Sequence, residues 1–302
     1  MADDIIFIYT GQEVPQDVKH VLIDNSITSI PERAFFGRRL LETVECHDGV
    51  EKIGRNSFTH CHNLRWIRIF GVIDIEILAF ANCVNLQDVE FGTKLDIIRE
   101  DAFRWCSSLR SIRLKSVRDI RSHAFMKCTR LVDVELPESL DSIGRYAFAE
   151  CPDLKRIAIP LKDGVIIGNS EFGWCSNVTT VNLVGKVYKT VSCLHLECWR
   201  NEMDAEIDRI NQVLPTISSY ANEKTREIQQ WIRTVIVRLE YYTSEHRNLL
   251  TEATIPLELA LWKSKLKDAR VEKNGDEQKR VYCRVNCGSD IVIPNVLAFL
   301  KL

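Results

Sequence analysis

The sequence has no apolar run approaching the roughly 18 residues of a membrane-spanning helix. Its start is acidic, with Asp3 and Asp4 ahead of the short apolar run Ile5–Ile8, where a secretory signal needs a basic start and about 7–15 apolar residues. Both absences lead us to expect an intracellular, cytoplasmic protein with no membrane partner. An excess of either charge is also missing: 40 basic residues face 42 acidic ones, a formal net charge of −2. Such a balance advertises no polyanion, so no nucleic acid is expected as partner. There is no glycine-rich phosphate loop, no G-x-S-x-G elbow and no H-E-x-x-H. With no nucleophile, base and oxyanion donor to group, the chain reads as non-enzymatic and without a cofactor.

What the sequence does have is a phrase repeated seven times. The 302 residues suggest about two domains by length, and 27% charged with 45% hydrophobic residues are ordinary values for a globular chain. Phe35, Phe58, Phe80, Phe103, Phe125, Phe148 and Phe172 follow one another at 23, 22, 23, 22, 23 and 24 residues. Five residues before each stands an isoleucine: Ile30, Ile53, Ile75, Ile98, Ile120, Ile143 and Ile167. A period of this length predicts a solenoid, in which each repeat buries its apolar face against its neighbours. Six residues after each phenylalanine begins an apolar-x-x-apolar-x-apolar strand pattern, as in Leu64-Ile67-Ile69 and Leu109-Ile112-Leu114. Alternation turns the last two apolar residues inward and the residues between them outward.

Six of the 11 cysteines, Cys61, Cys83, Cys106, Cys128, Cys151 and Cys175, each lie three residues after a repeat phenylalanine. Equivalent positions point the same way, which predicts a ladder of small buried thiols. Rungs about 4.8 Å apart with parallel side chains are poorly oriented for disulfides, so the thiols are expected to be reduced.

The stretch Ile143-Gly144-Arg145-Tyr146-Ala147-Phe148-Ala149-Glu150-Cys151-Pro152-Asp153-Leu154 resembles the BspA-like leucine-rich repeats almost letter for letter. The resemblance covers about residues 21–184. It implies an α/β solenoid with a short parallel sheet, used for binding rather than catalysis; some relatives bind extracellular matrix or host surfaces. The first repeat departs with Arg38 in the cysteine position and the seventh with Glu171 in the alanine position, as end repeats do.

Two rows face outward from the strands. Glu45, Arg68, Glu90, Arg113 and Glu135 alternate in sign before Ala158 and Asn182. This row is either a recognition surface or a self-neutralising ladder. In the other row, Thr43, Trp66, Asp88, Ser111, Asp133, Arg156 and Thr180, the odd member is Trp66. Beside Arg65 and Arg68 it has the composition of an interface hot spot, or it lies flat over its neighbours. Trp105 and Trp174 each precede a ladder cysteine on a turn. With Arg113, these residues are the candidate protein-binding set.

We expect an N-terminal cap over residues 1–23, the solenoid over 24–192, a helical hairpin or bundle over 193–267, and a charged linker with a short strand over 268–302. Within the cap, 5–8 and 18–23 read as strands; Lys186–Val191 is a candidate closure for the other end. Ile207, Ile210, Leu214 and Ile217 mark one helix, bent or stopped by Pro215. A second helix starts near Asn222, with a stripe of Ile228, Ile232, Val235, Leu239, Tyr242, His246, Leu249 and Ala253, widened by Trp231, Ile236, Leu250, Leu257 and Leu261. That stripe suits either packing within the chain or homo-oligomerisation through the helical region. Leu249–Ala253, Leu257–Lys263 and the tail look like the C-terminal region of a leucine-rich repeat family from diatoms.

Three clusters resemble metal or redox motifs only in spelling: His60-Cys61-His62, His195 with Cys198, and Cys283 with Cys287. None has a second ligand pair at zinc spacing, so no metal is expected. The chain therefore reads as a scaffold for an unidentified protein partner, with a cell-surface or adhesive protein as the alternative.

Overall fold

In a computed structural model, the described residues are 6–160, 166–167, 170–184, 197–217, 223–238, 240–242, 244, 245 and 248. The chain divides into two compact units, Met1–Ile236 and Val237–Leu302. The first holds the solenoid.

Each of the seven repeats supplies one short strand and then one long strand, and two further long strands precede the first repeat. The long strands are β1 (Ile6–Tyr9), β2 (His20–Ile23), β4 (Thr43–Glu45), β6 (Trp66–Ile69), β8 (Asp88–Phe91), β10 (Ser111–Arg113), β12 (Asp133–Glu135), β14 (Arg156–Pro160) and β16 (Thr180–Val184). The short ones are β3 (Ser29–Ile30), β5 (Lys52–Ile53), β7 (Asp74–Ile75), β9 (Ile97–Ile98), β11 (Asp119–Ile120), β13 (Ser142–Ile143) and β15 (Ile166–Ile167). The short strands form one continuous parallel sheet of seven. The isoleucines of the sequence phrase lie in it, and those from Ile30 to Ile143 are buried.

The long strands form two parallel sheets rather than one: β1-β2-β4-β6-β8 and β10-β12-β14-β16. The break coincides with Phe91, which stands where other turns carry Leu114 or Leu136. Its ring leans edge-on against Phe103 of the next turn, at 5.9 Å and 78°.

Inside, the seven repeat phenylalanines form an unbroken stack, with centroids 4.8–5.5 Å apart and ring planes within 3–11° of parallel. All seven are at most 1% exposed. Burial of each contributes about 1.5–3 kcal/mol. Tyr9 closes the N-terminal end of the stack at 4.9 Å from Phe35.

The third side of each of the first six turns is a bend with two residues in left-handed conformation, one two before and one two after the phenylalanine; around Phe172 it is Trp174 that has it. Asp101 and Trp105 flank Phe103 at φ 57° and 65°; His123 and Lys127 flank Phe125 at 59° and 64°. A left-handed residue with a side chain costs about 1–2 kcal/mol. The bend is held by amides donated to the next turn: Asp101 to the Ser122 carbonyl, Phe103 to Ala124 and Trp105 to Met126, at 3.1, 2.7 and 3.0 Å. A turn therefore keeps this shape only beside a neighbour.

The thiol ladder is present and reduced, and its thiols also act as hydrogen-bond donors. Cys61, Cys83, Cys106, Cys128, Cys151 and Cys175 each donate to the phenylalanine carbonyl of the preceding turn, at 3.0–3.4 Å. Arg38, in the cysteine position of the first turn, reaches instead into the cap. Its Nε donates to the Val14 carbonyl at 2.7 Å and its Nη1 to Phe36 at 3.1 Å.

Past the last turn lie two helices, α1 (Glu197–Val213) and α2 (223–238). Pro215 sits in a single 3-10 turn, Leu214–Thr216, at the end of α1. In the stripe of α2, Ile228, Trp231 and Val235 are fully buried and Ile232 is 7% exposed. The Trp231 indole donates to the Glu206 carbonyl of α1 at 3.0 Å. Two polar side chains bind the helices to the solenoid's open end. Asn211 of α1 accepts the Val181 amide of β16 at 2.7 Å, and Lys224 of α2 donates to the carbonyls of Ser176 and Val178 at 2.6 and 2.9 Å. Burial pushes the Lys224 ammonium below its usual range. The helices thus take part in closing this end; the Lys186–Val191 segment lies outside the described residues, as do Asn222, Leu239, His246 and everything from 249 onward. Among the described residues, no helix is long and apolar enough to cross a membrane.

Candidate protein-binding face

The outward side of the first long-strand sheet carries two rows set by register. One runs Ile6, His20, Thr43, Trp66 and Asp88; the other runs Ile8, Leu22, Glu45, Arg68 and Glu90. Ile6 and Ile8 are 62% and 52% exposed, Leu22 and Phe70 both 39%. Two hollows lie on this face, of about 600 and 330 Å³. They adjoin at Leu22 and Glu45, which line both, and together form a two-part trough, with Ile6, His20 and Trp66 in one part and Asp24, His47 and Phe70 in the other.

Arg68 organises the wall of the trough. It pairs with Glu45 at 2.6 Å and Glu90 at 3.4 Å, and its guanidinium stands 5.6 Å from the Trp66 ring and 5.3 Å from that of Phe70. The Trp66 indole donates to Glu90 at 3.3 Å. Trp66 is therefore half-buried and braced, combining the two alternatives open in the sequence: it lies against its neighbours and still lines the trough. Arg65 is exposed at the entrance to β6.

The remaining candidates lie elsewhere. Arg113 begins the second sheet, in register with Glu135, yet makes no ion pair among the described residues. Among the described residues the sign-alternating row thus pairs only across Glu45, Arg68 and Glu90; the break between β8 and β10 separates Glu90 from Arg113, while Arg113 and Glu135 are in register without closing an ion pair. Trp105 and Trp174 sit in left-handed bends on the turn side, 39% and 47% exposed. Trp105 is covered by the Lys127 ammonium at 4.2 Å, and Trp174 stacks on Tyr146 at 6.0 Å. The six candidates are divided between faces; the trough gathers only those around Trp66. Its other members, Ile6, Ile8, Leu22 and Phe70, were hidden in the sequence because an apolar residue in a strand reads as core. Strict alternation from the buried Tyr9 and Ile23 was the signal that turns Ile6, Ile8 and Leu22 outward.

Of the cysteine clusters, only the first falls among described side chains. The Cys61 thiol faces the core, while the His60 and His62 rings meet edge to face outside it, 5.7 Å apart. Burial, with smaller contributions from the neighbouring His60 and Arg39, lowers the His62 pKa.

These features define a leucine-rich repeat solenoid. The family model for the BspA type leucine rich repeat region matches residues 15–116 and 96–229, and the chain belongs to that family. No curated protein matches. Among solved structures, a leucine-rich repeat protein from Bacteroides ovatus is 30% identical over 47% of this chain and 37% of its own, with a TM-score of 0.45. The T. pallidum leucine rich repeat protein is 24% identical over 66% of this chain and 86% of its own, with a TM-score of 0.39. The pneumococcal vaccine antigen PcpA is 14% identical over 58% of this chain and 59% of its own, with a TM-score of 0.34.

Proposed function

We propose that this chain is a non-enzymatic, intracellular scaffold that binds another protein in the trough of its first sheet. The observation that carries this reading is the run of exposed apolar side chains, Ile6, Ile8, Leu22 and Phe70, beside an aromatic ring and an arginine. Tryptophan and arginine are the residue types in which binding energy concentrates. Because Glu45 and Glu90 already balance Arg68, the partner that fits is an apolar segment rather than an acidic one.

The test is capture of partners by the full chain from its own cell lysate, identified by mass spectrometry and repeated with Trp66→Ala. A protein that binds the wild type is expected to be lost with Trp66→Ala while the melting temperature stays near the wild-type value. Capture unchanged by the substitution would remove the trough from the account. A large loss of thermal stability would make Trp66 a packing residue.

A further inference from the structure

The two outer edges of the long-strand sheets are finished differently. Beside β16 stands α1, whose Asn211 takes the Val181 amide. Beside β1 no described strand or helix is paired; its one partner is β2, on the other side. The bonds to β2 come from alternate residues, Phe7 and Tyr9: the Tyr9 carbonyl accepts the Asp24 amide at 3.0 Å. The amide and carbonyl groups of Ile6 and Ile8 therefore point to the open rim. Gln12 marks the direction, since its exposed side-chain amide donates to the Ile8 carbonyl at 2.8 Å. An amide already stands where the N–H of an added strand would.

Natural edge strands are blunted by charge, proline or a bulge. Ile6-Phe7-Ile8-Tyr9 carries no charge and no proline, pairs without a bulge, and consists of strong strand formers. We propose that β1 is a self-association edge, at which β1 of a second copy adds in antiparallel orientation about a two-fold axis normal to the sheet. Such a pairing is isologous, so one strand must serve as both template and guest. β1 meets that demand: its outward backbone groups lie on alternate residues, with the Ile8 carbonyl exchanging its Gln12 donor for the incoming amide, its sequence is uncharged and does not repel its copy, and its side chains at positions 6 and 8 are apolar. The axis lays Ile6 and Ile8 of one chain beside those of the other, as cross-strand neighbours. In the apolar stripe of α2, the other candidate for self-association, Ile228, Ile232 and Val235 are buried. This inference rests on the backbone rim of β1 and not on the docking role of the trough.

The experiment is sedimentation velocity on the full chain over a wide concentration range. The wild type is expected to reach a dimer. Ile8→Pro removes the outward N–H while sparing the bonds that Phe7 and Tyr9 make to β2; Ile8→Lys adds a charge at the rim. Both are expected to be monomers with wild-type circular dichroism, whereas Trp66→Ala stays dimeric. A wild type that is monomeric throughout, or a dimer that survives Ile8→Pro, overturns the proposal. Should either variant misfold, hydrogen exchange of the intact wild type decides. Protection of the Ile8 amide that rises with concentration is expected, and concentration-independent exchange refutes it. Dimerisation with unchanged partner capture by Trp66→Ala would sink the trough reading alone.

Discussion

At its C-terminal end the solenoid meets two helices; at its N-terminal end it meets two more strands of its own sheet. Both ends must cover the last phenylalanine ring and satisfy the backbone groups that the next turn would have bonded. The helical end does so with side chains foreign to the repeat. Asn211 takes the Val181 amide, and Lys224 reaches the Ser176 and Val178 carbonyls. The strand end prolongs the repeat's own geometry: Tyr9 covers Phe35 and Arg38 replaces the ladder thiol by bonding Val14. Continuing the sheet moves its open edge outward to β1 without closing it. A helix ends a parallel sheet, whereas a further strand postpones the ending.

Substitutions along the solenoid sharpen this contrast. The largest effect belongs to neither end: Phe103→Ala removes a ring stacked on both sides and is expected to cost about 3–5 kcal/mol in chemical denaturation. Lys224→Ala leaves two carbonyls of the last turn without their donor, and the expected cost is about 1–3 kcal/mol. A loss no larger than that of an exposed lysine would show that the helical end is not held by this contact.

A smaller effect, spread over five rungs of the ladder and Cys46, comes from alkali. Burial pushes the thiols of Cys46 and Cys61 from the usual 9.0 up to about 12, and those of Cys83, Cys106, Cys128 and Cys151 upward as well. Above pH 9 the unfolded chain releases thiol protons that the folded chain keeps. Their contribution is complete below that pH and declines as pH rises from 9 toward 12. Lys224 acts in the opposite direction, because its folded pKa lies below 10.5 and the cost of its buried charge is relieved as pH rises. The melting temperature is expected to fall above pH 9, less steeply in Cys106→Ala than in the wild type; equal slopes would count against the ladder.

The solenoid was legible because seven equivalent phenylalanines, isoleucines and cysteines repeat one environment, and a period survives local variation. The capping role of the helices was not. It depends on Asn211 and Lys224, single polar residues that no periodicity marks out, where a stripe reports only which side of a helix is apolar. The division of the long strands into two sheets was also hidden, since Phe91 satisfies the same pattern as Leu114 and differs only in bulk. The trough was half visible: Trp66 and Arg68 stood out as polar-aromatic exceptions, while Ile6 and Ile8 were indistinguishable by type from core residues.

The most direct test of helical closure is hydrogen exchange at the Val181 amide in the wild type and in Asn211→Ala. Strong protection in the wild type, lost in Asn211→Ala while the amides of β12 and β14 keep theirs, is the predicted result. Fast exchange in the wild type, or protection unchanged by the substitution, would contradict the account.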